Sequence, residues 1–362
     1  MRSIEARALR RVVTAVFEAA GCSPAESARI SESLVDTNVT GHDSHGVIRV
    51  ARYVDGLRNG EVHAGRHATI VSENPVMAVV DGNDGFGQTI GVEAVELGIR
   101  KSQAFGISVI ALRHTGHIGR IGQWAEQAAA AGLVSIHFVN VQGSVTVAPF
   151  NGVDRRLATN PICIGFPLPG RPPVILDFAT SLVAEGKVLV ARAGGKPLPE
   201  GALITPEGRL SSDPAVLLGD GSGMTLAERK GLGAIRTFGE HKGSGLSFMC
   251  EILAGALAGG GAAGGEYPHI TNAMLSIYLA PRVFGDPSTI EAEAERFIAF
   301  FTNSRPAVPG TAVLAPGDPE LTTRAARERE GIPLEDAVWE SIVEAAASVG
   351  LPRERIEALA RP

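Results

Sequence analysis

The chain has 362 residues, 44% of them apolar and 20% charged, with 44 glycines and a net charge of −6. That length can bury one large core or two ordinary ones, and the acidic balance excludes a nucleic-acid surface, which needs a basic field. Cys22, Cys163 and Cys250 lie far apart without a CxxC, which points to buried thiols in a reducing compartment rather than to disulfides or a zinc knuckle.

No apolar run approaches the roughly 20 residues of a membrane span, so no membrane partner is expected. The N-terminus is charged and amphipathic rather than a secretory signal, and the expected location is cytoplasmic.

Residues 4–37 carry helical periodicity, with Ala8, Val12, Val16 and Phe17 on one stripe. Gly21-Cys22-Ser23-Pro24 breaks that segment, Ser23 suiting an N-cap and Pro24 the first helical position. The run RVARYVDGLRNG predicts another amphipathic helix ending near Gly60. From about residue 70 the pattern alternates: strand at Val76–Val80, helix at Glu93–Gln103, strand at Ile107–Ala111, helix at Trp124–Ala131, strand at Val134–Val139. This alternation predicts an α/β sheet built from crossover units.

Residues 143–175 are richer in Pro and Gly, with strands at Ile162–Phe166 and Val174–Leu176. Residues 190–232 read as loops that wrap tightly over the surface, since a structureless stretch of that length is unusual in a compact domain. A helix over Leu246–Leu257 follows, then Gly259–Gly265 as a flexible connection, and helical spacing returns from about Leu321. No fixed period repeats, which excludes a solenoid.

Two polar clusters stand out. In Gly41-His42-Asp43-Ser44-His45-Gly46, a helix starting near Ser44 would set His45, Arg49 and either Arg52 or Tyr53 on one face. Forked Arg donors there can hold a carboxylate while an imidazole handles a proton. The plainer reading is a capped, solvated helix start with Ser44 or Asp43 as the cap. The second cluster, Arg113-His114-Thr115-Gly116-His117-Ile118-Gly119-Arg120-Ile121-Gly122, directly follows a strand, where open α/β sheets place their ligands. A histidine there can work in both directions, having a reference pKa of about 6.5. A turn with incidental histidines is the plainer alternative.

The pairs His42/His45 and His114/His117 invite a zinc reading, but no HExxH or Cys-rich partner is nearby and no metal is expected. Ser44 beside His45 lacks a GxSxG elbow. Asp81–Gly91 follows a strand and precedes a helix, yet it reads GxGxxxG and the next strand ends in Arg113 without an acid. It is read as a glycine turn rather than a Rossmann site. Gly239–Gly245 precedes the Leu246–Leu257 helix, and free N–H groups beside Lys242 suit a pyrophosphate or carboxylate, although a simple cap explains them equally. Leu176–Ser181 ends a strand in small polar groups, and Thr159-Asn160-Pro161 is a turn with amide donors.

In this order, GHDSHG at 41–46, HIGRIGQWAEQAAAAG at 117–132, VSIHFV at 134–139, VAPFNG at 147–152, TNP at 159–161, LDFATS at 176–181, EHKG at 240–243 and MCEILAGALAGG at 249–260 resemble the malate/L-lactate dehydrogenase family. Ureidoglycolate dehydrogenase and diketogulonate reductase belong to the same group, and the likeness runs over nearly the whole chain.

The resemblance implies an α/β, non-Rossmann fold with a mixed sheet and helical N- and C-terminal segments. It also implies a homodimer that uses NAD or NADP. Residues 1–75 with 300–362 would form a helical, dimerisation and substrate-facing region, and 76–299 the α/β cofactor-binding and catalytic region. His45 and His117 match the histidines assigned to catalysis in different members, Arg49 a substrate-carboxylate binder, and Tyr53 and Asn160 active-site positions. Arg120, Asp177, Phe178, Ala179, Thr180, His241, Lys242, Gly243, Gly317, Asp318 and Pro319 correspond to cofactor contacts.

The reaction so implied is reversible hydride transfer between NAD(P)(H) and a small 2-hydroxy or 2-oxo acid of the malate, lactate or aryl-lactate type. A histidine would act as general acid and base, with His45 and His117 equally placed. Val139-Asn140-Val141-Gln142 stands where some relatives carry a lysine or aspartate, so the particular acid is left open. Two rival readings of the same residues are a metal-dependent hydrolase built on the paired histidines and a non-catalytic NAD(P)-binding protein.

Overall fold

The computed structural model describes residues 2–192, 197–220 and 230–361. It opens with strand β1 (Arg2–Ile4) and helices α1 (Ala6–Ala19) and α2 (Pro24–Val39). Leu9, Val12, Val13, Val16 and Phe17 recur on one stripe of α1 and are fully buried, as an amphipathic period requires. The Ser23 hydroxyl caps α2 by accepting from the backbone N–H of Glu26 at 3.3 Å, with Pro24 at the first position.

Two short 3-10 turns, Asp43–His45 and Val47–Arg49, then lead into α3 (Val50–Arg58). The single helix expected from Ser44 is therefore broken at Gly46. The backbone there folds so closely on Asn38 that a Cβ would lie 2.1 Å from its Oδ1.

Strands β2 (Thr69–Glu73) and β3 (Met77–Asp81) precede α4 (Gly87–Phe105), β4 (Ile107–Thr115), α5 (Gly122–Ala130), β5 (Val134–Gln142), β6 (Pro161–Phe166) and β7 (Val174–Ala179). Next come α6 (Glu185–Arg192), β8 (Leu203–Ile204), β9 (Leu210–Ser211), α7 (Ala215–Leu218) and β10 (Ala234–Ile235). Helix α8 (His241–Cys250) runs into a π-helical segment, Glu251–Leu257. The chain ends with β11 (Thr271–Leu279), α9 (Pro287–Thr302), α10 (Asp318–Glu330), β12 (Ile332–Leu334), α11 (Asp336–Ser348) and α12 (Arg353–Leu359).

The main sheet has seven strands in the order β2-β3-β4-β11-β5-β6-β7. Only β3 and β4 pair in parallel, crossing over through α4; the other neighbours are antiparallel. The sheet is mixed, as the family resemblance implied, and not a series of crossover units as the local alternation suggested. The reason is β11, which arrives from far along the chain and inserts between β4 and β5. Periodicity in a local window cannot register such a long-range pairing. Strand β2 escaped notice because all five of its residues are exposed and no buried face marks it.

Among the described residues, three large apolar cores and a small fourth one around Ala111, Ala258 and Leu275 hold these elements. One joins α1, α2 and α3 to the C-terminal helices through Phe17, Leu34, Tyr53, Trp339 and Ile342. A second lies between the sheet and helices α4 and α5, around Ile90, Leu112, Ile118, Trp124 and Tyr278. There α4 approaches so closely that a Cβ at Gly91 would meet the Trp124 ring at 2.5 Å, and one at Gly98 the Tyr278 ring at 2.2 Å.

The third core sits under the three-stranded sheet β10-β8-β9 and includes Val147, Leu157, Leu203, Leu217 and Ile235. The stretch expected as surface loops thus carries a small sheet, with 193–196 and 221–229 outside the described residues.

Two further expectations change. Helix α8 starts at His241 rather than Leu246, because packing of Gly243 under Phe238 overrides the low helix propensity of the glycine run. Gly259–Gly265 is pinned rather than free: Asn140 and Gln142 donate side-chain N–H groups to the Gly261 carbonyl at 2.9 and 2.8 Å. Among the described residues, no helix is long and apolar enough to cross a membrane.

Candidate active site

The loop after β4 folds over the turns that precede α3. It stacks the imidazoles of His45 and His117, with centroids 5.5 Å apart and planes 20° from parallel. One member of each His-x-x-His pair therefore meets the other, and their sequence neighbours diverge. His42 Nε2 faces Glu320 Oε1 at 3.0 Å, and His114 Nδ1 faces Asp81 Oδ2 at 2.9 Å. Among the described residues, no group of three or more His, Cys, Asp or Glu is arranged to hold a metal ion.

Each ring is held at Nδ1. Ser44 Oγ lies 2.9 Å from Nδ1 of His45, and the Tyr53 hydroxyl lies 2.7 Å from Nδ1 of His117. Gln88, buried on α4, donates to the Tyr53 hydroxyl at 3.0 Å and to the His117 carbonyl at 3.2 Å. Arg49 donates through Nε to the Ser44 carbonyl at 2.8 Å, which sets its guanidinium beside the pair. Of the two candidates on α3, Tyr53 joins the histidines, whereas Arg52 pairs with Glu61 at 2.8 Å.

Burial and charge act together here. Burial first, then the positive charge of Arg49, push His45 down to about 3; His42 and Arg120 add to this. His117 is pushed well below the usual imidazole range by burial, then by Arg49, His45 and Arg52. Burial raises the Tyr53 phenol to about 12. Both imidazoles are therefore neutral at neutral pH, and the phenol keeps its proton.

Asn160 is fully buried in a different network. Its Nδ2 donates to Glu251 Oε1 at 2.7 Å and Ser247 Oγ at 3.1 Å, and its Oδ1 accepts from Val141 N–H at 3.3 Å. It ties β5 and β6 to α8 and the π-helical segment, and none of these bonds reaches the histidines.

A cavity of about 550 Å³ opens beside the site, lined among others by His42, Arg120, Glu126, Asp177, Gly317 and Arg324. Arg120 is 3% exposed and grips Glu126 through two N–H···O bonds of 3.0 and 2.6 Å, yet its Nε is buried without a hydrogen-bond partner among the described residues. Asp177 Oδ2 accepts from Gly122 N–H at 2.7 Å. Along the same strand, Phe178 packs edge-on against Phe238 at 5.4 Å, Ala179 pairs with Pro161, and the Thr180 hydroxyl donates to the Asn160 carbonyl at 2.9 Å.

The remaining members of the cofactor set lie apart from that cavity lining. His241 and Lys242 are exposed in the first turn of α8, where Gly243 is buried. Asp318 caps its own turn by accepting from Ala315 N–H at 2.7 Å, and Pro319 is exposed beside it.

A family model described as malate/L-lactate dehydrogenase matches residues 4–343. The chain belongs to the malate/L-lactate dehydrogenase family. Hydroxycarboxylate dehydrogenase B of Escherichia coli O157:H7 is 41% identical over 359 residues, which is 98% of this chain and 96% of that protein. L-lactate dehydrogenase of Cupriavidus necator is 33% identical over 327 residues, covering 89% of this chain and 90% of that one. The solved sulfolactate dehydrogenase of Methanocaldococcus jannaschii superposes with a TM-score of 0.83 at 28% identity, covering 99% of both chains. These relatives are each named as a dehydrogenase of a hydroxy acid, and the family is one of oxidoreductases.

In this member of the malate/L-lactate dehydrogenase family, sequence reading missed Gln88 and Glu126. Gln88 sits in the glycine-rich start of α4, where a polar residue facing an apolar core was the available signal. Glu126, on α5, was hidden among small apolar residues and takes its place only as the partner of Arg120.

Proposed function

We propose that this chain is an NAD(P)-dependent 2-hydroxy-acid dehydrogenase. The observation that carries the proposal is the stacked, neutral His45–His117 pair sharing the field of Arg49. When bound, a nicotinamide ring supplies the hydride acceptor for oxidation and the hydride donor for reduction. Arg120, Asp177 and Gly317 would hold the cofactor at the cavity. The fit rests on the orphaned N–H of Arg120, which suits a phosphate oxygen, and on the Asp177 carboxyl, which suits a ribose hydroxyl.

Arg49 holds the substrate carboxylate through its planar fork. That pairing has a second effect. It offsets the Arg49 charge that adds to burial in depressing both imidazoles, so that part of the depression is relieved once the acid is bound. His117 then takes the hydroxyl proton at Nε2 as the C2 hydride leaves and C2–O becomes a carbonyl; in reduction it returns that proton to the oxygen. We assign this role to His117 because Tyr53 braces its other nitrogen and Gln88, from a separate helix, holds both the Tyr53 hydroxyl and the His117 carbonyl. His45, braced at Nδ1 by its neighbour Ser44, orients the substrate oxygen.

A homodimer is supported by α9, which buries none of its residues and leaves Phe297, Phe300 and Phe301 exposed at 55%, 74% and 45%. Contiguous apolar surface of this kind marks an interface. The functional reading is tested with a panel of 2-oxo acids against NADH and NADPH, following nicotinamide absorbance. Oxidation that requires the oxo acid is expected; none with any acid and either cofactor would overturn it.

A further inference from the structure

Helix α10 buries none of its residues fully. It carries a row of polar side chains at helical spacing, Glu320, Arg324 and Arg327, which share one face. Glu320 meets His42 at 3.0 Å, Arg324 grips both carboxylate oxygens of Asp36 at 2.8 and 3.0 Å, and Arg327 grips both of Asp43 at 2.6 and 2.9 Å. All three partners lie on the end of α2 or on the segment that leads into His45.

Arg327 has the most direct line to the site. Its side chain is only 16% exposed, although that of Asp43 is 50% exposed, and its guanidinium also donates to the Asn38 carbonyl. Asn38 in turn donates to Asp43 Oδ1 at 2.6 Å and accepts from Val47 N–H at 2.7 Å. Arg327, Asn38 and Asp43 thus enclose the 3-10 turn Asp43–His45 from one side. That turn has no side-chain cap of its own. A turn this short closes few internal hydrogen bonds, so its orientation depends on what tethers it.

We propose that Arg327 is a positioning residue: through its bidentate pair with Asp43, it fixes the turn that aims His45 at the substrate. The inference rests on the reading of His45 as a substrate-facing group. A surface ion pair with a merely structural part to play contributes little and could be removed quietly. A tether on a catalytic turn behaves differently, because displacements of about 1 Å can cost up to ~100-fold in turnover.

The test uses full-length Arg327→Ala, Arg327→Lys, Asp43→Asn and the Arg327→Ala/Asp43→Asn double variant, with Arg329→Gln on the same helix as control. Arg327→Ala is expected to lower kcat about tenfold with a smaller change in KM. Lysine, which lacks the fork, restores part of that loss. The double variant is no worse than the worse single one, because both remove the same contact. Backbone amide exchange should speed up at His45, Gly46 and Val47 while α1 and the melting temperature stay as in the parent. The Arg329→Gln control should match the parent.

An unchanged kcat in Arg327→Ala overturns the proposal. So does a kcat loss that comes with global destabilisation and no local rise in exchange. If the parent protein shows no dehydrogenase turnover at all, the functional reading fails, and the exchange measurement still decides whether Arg327 holds the turn.

Discussion

The Tyr53 hydroxyl lies 2.7 Å from Nδ1 of His117 while Gln88 donates to the same oxygen at 3.0 Å. A phenol has one proton. With that proton directed to the His117 carbonyl at 3.4 Å, its oxygen accepts from Nδ1–H, and Nε2 keeps a lone pair for the substrate proton. Tyr53→Phe removes this brace and keeps the ring that packs on Phe17 and Phe86. We expect kcat to fall about tenfold or more, KM for the oxo acid to move less, and the fold to persist. Steady-state kinetics and a melting curve check this; an unchanged kcat would remove Tyr53 from the proton path.

Arg49 provides the next prediction. Lysine keeps the charge and loses the planar fork, so Arg49→Lys should raise KM for 2-oxo acids about tenfold or more, with a smaller change in kcat. An unchanged KM would take Arg49 out of carboxylate binding.

Stability should fall on acidification. His45 and His137 are pushed down to about 3 by burial, and His117 is pushed well below its ordinary 6.5. The unfolded chain therefore binds these protons near pH 6.5 and the folded chain only at much lower pH. Their contribution is complete above pH 6.5 and is lost progressively as the pH falls below it, because the unfolded chain then takes up protons that the folded chain does not. Asp177 opposes this at the acid end, because burial pushes its carboxyl up and it takes a proton earlier in the folded state. Denaturant melts between pH 7 and pH 4.5 should show the decline, with a shallower slope in His137→Gln. A flat profile would mean that these rings are solvated.

Gly91 separates packing from nucleotide binding. A methyl group there would lie 2.5 Å from the Trp124 ring, so Gly91→Ala should destabilise by about 1–3 kcal/mol. Cofactor affinity, read by nicotinamide fluorescence, should stay unchanged. Weakened cofactor binding without lost stability would restore the glycine run as a nucleotide-binding turn.

Much of the site was legible because it lies in short, dense polar runs. His45, Arg49 and Tyr53 fall within one segment, and His117 follows a recognisable strand, so spacing marked them as candidates and the family resemblance chose Tyr53 over Arg52. What spacing could not give is the crosswise pairing, in which His45 meets His117 while His42 and His114 turn to carboxylates. That arrangement depends on the break at Gly46 and on the long-range insertion of β11, neither of which has a local signature. Arg327 was illegible for the same reason: its partner Asp43 lies at the other end of the chain, and a charged residue on a polar helix reads as solvated surface.

The proton role of the histidine pair is tested most directly by single-turnover reduction of a 2-oxo acid in His117→Gln, with cofactor affinity measured in parallel. We expect the rate to drop at least ~100-fold while NAD(P)H still binds, as the loss of a general acid requires. A His117→Gln protein that reduces its substrate at close to the parent rate would contradict the assignment.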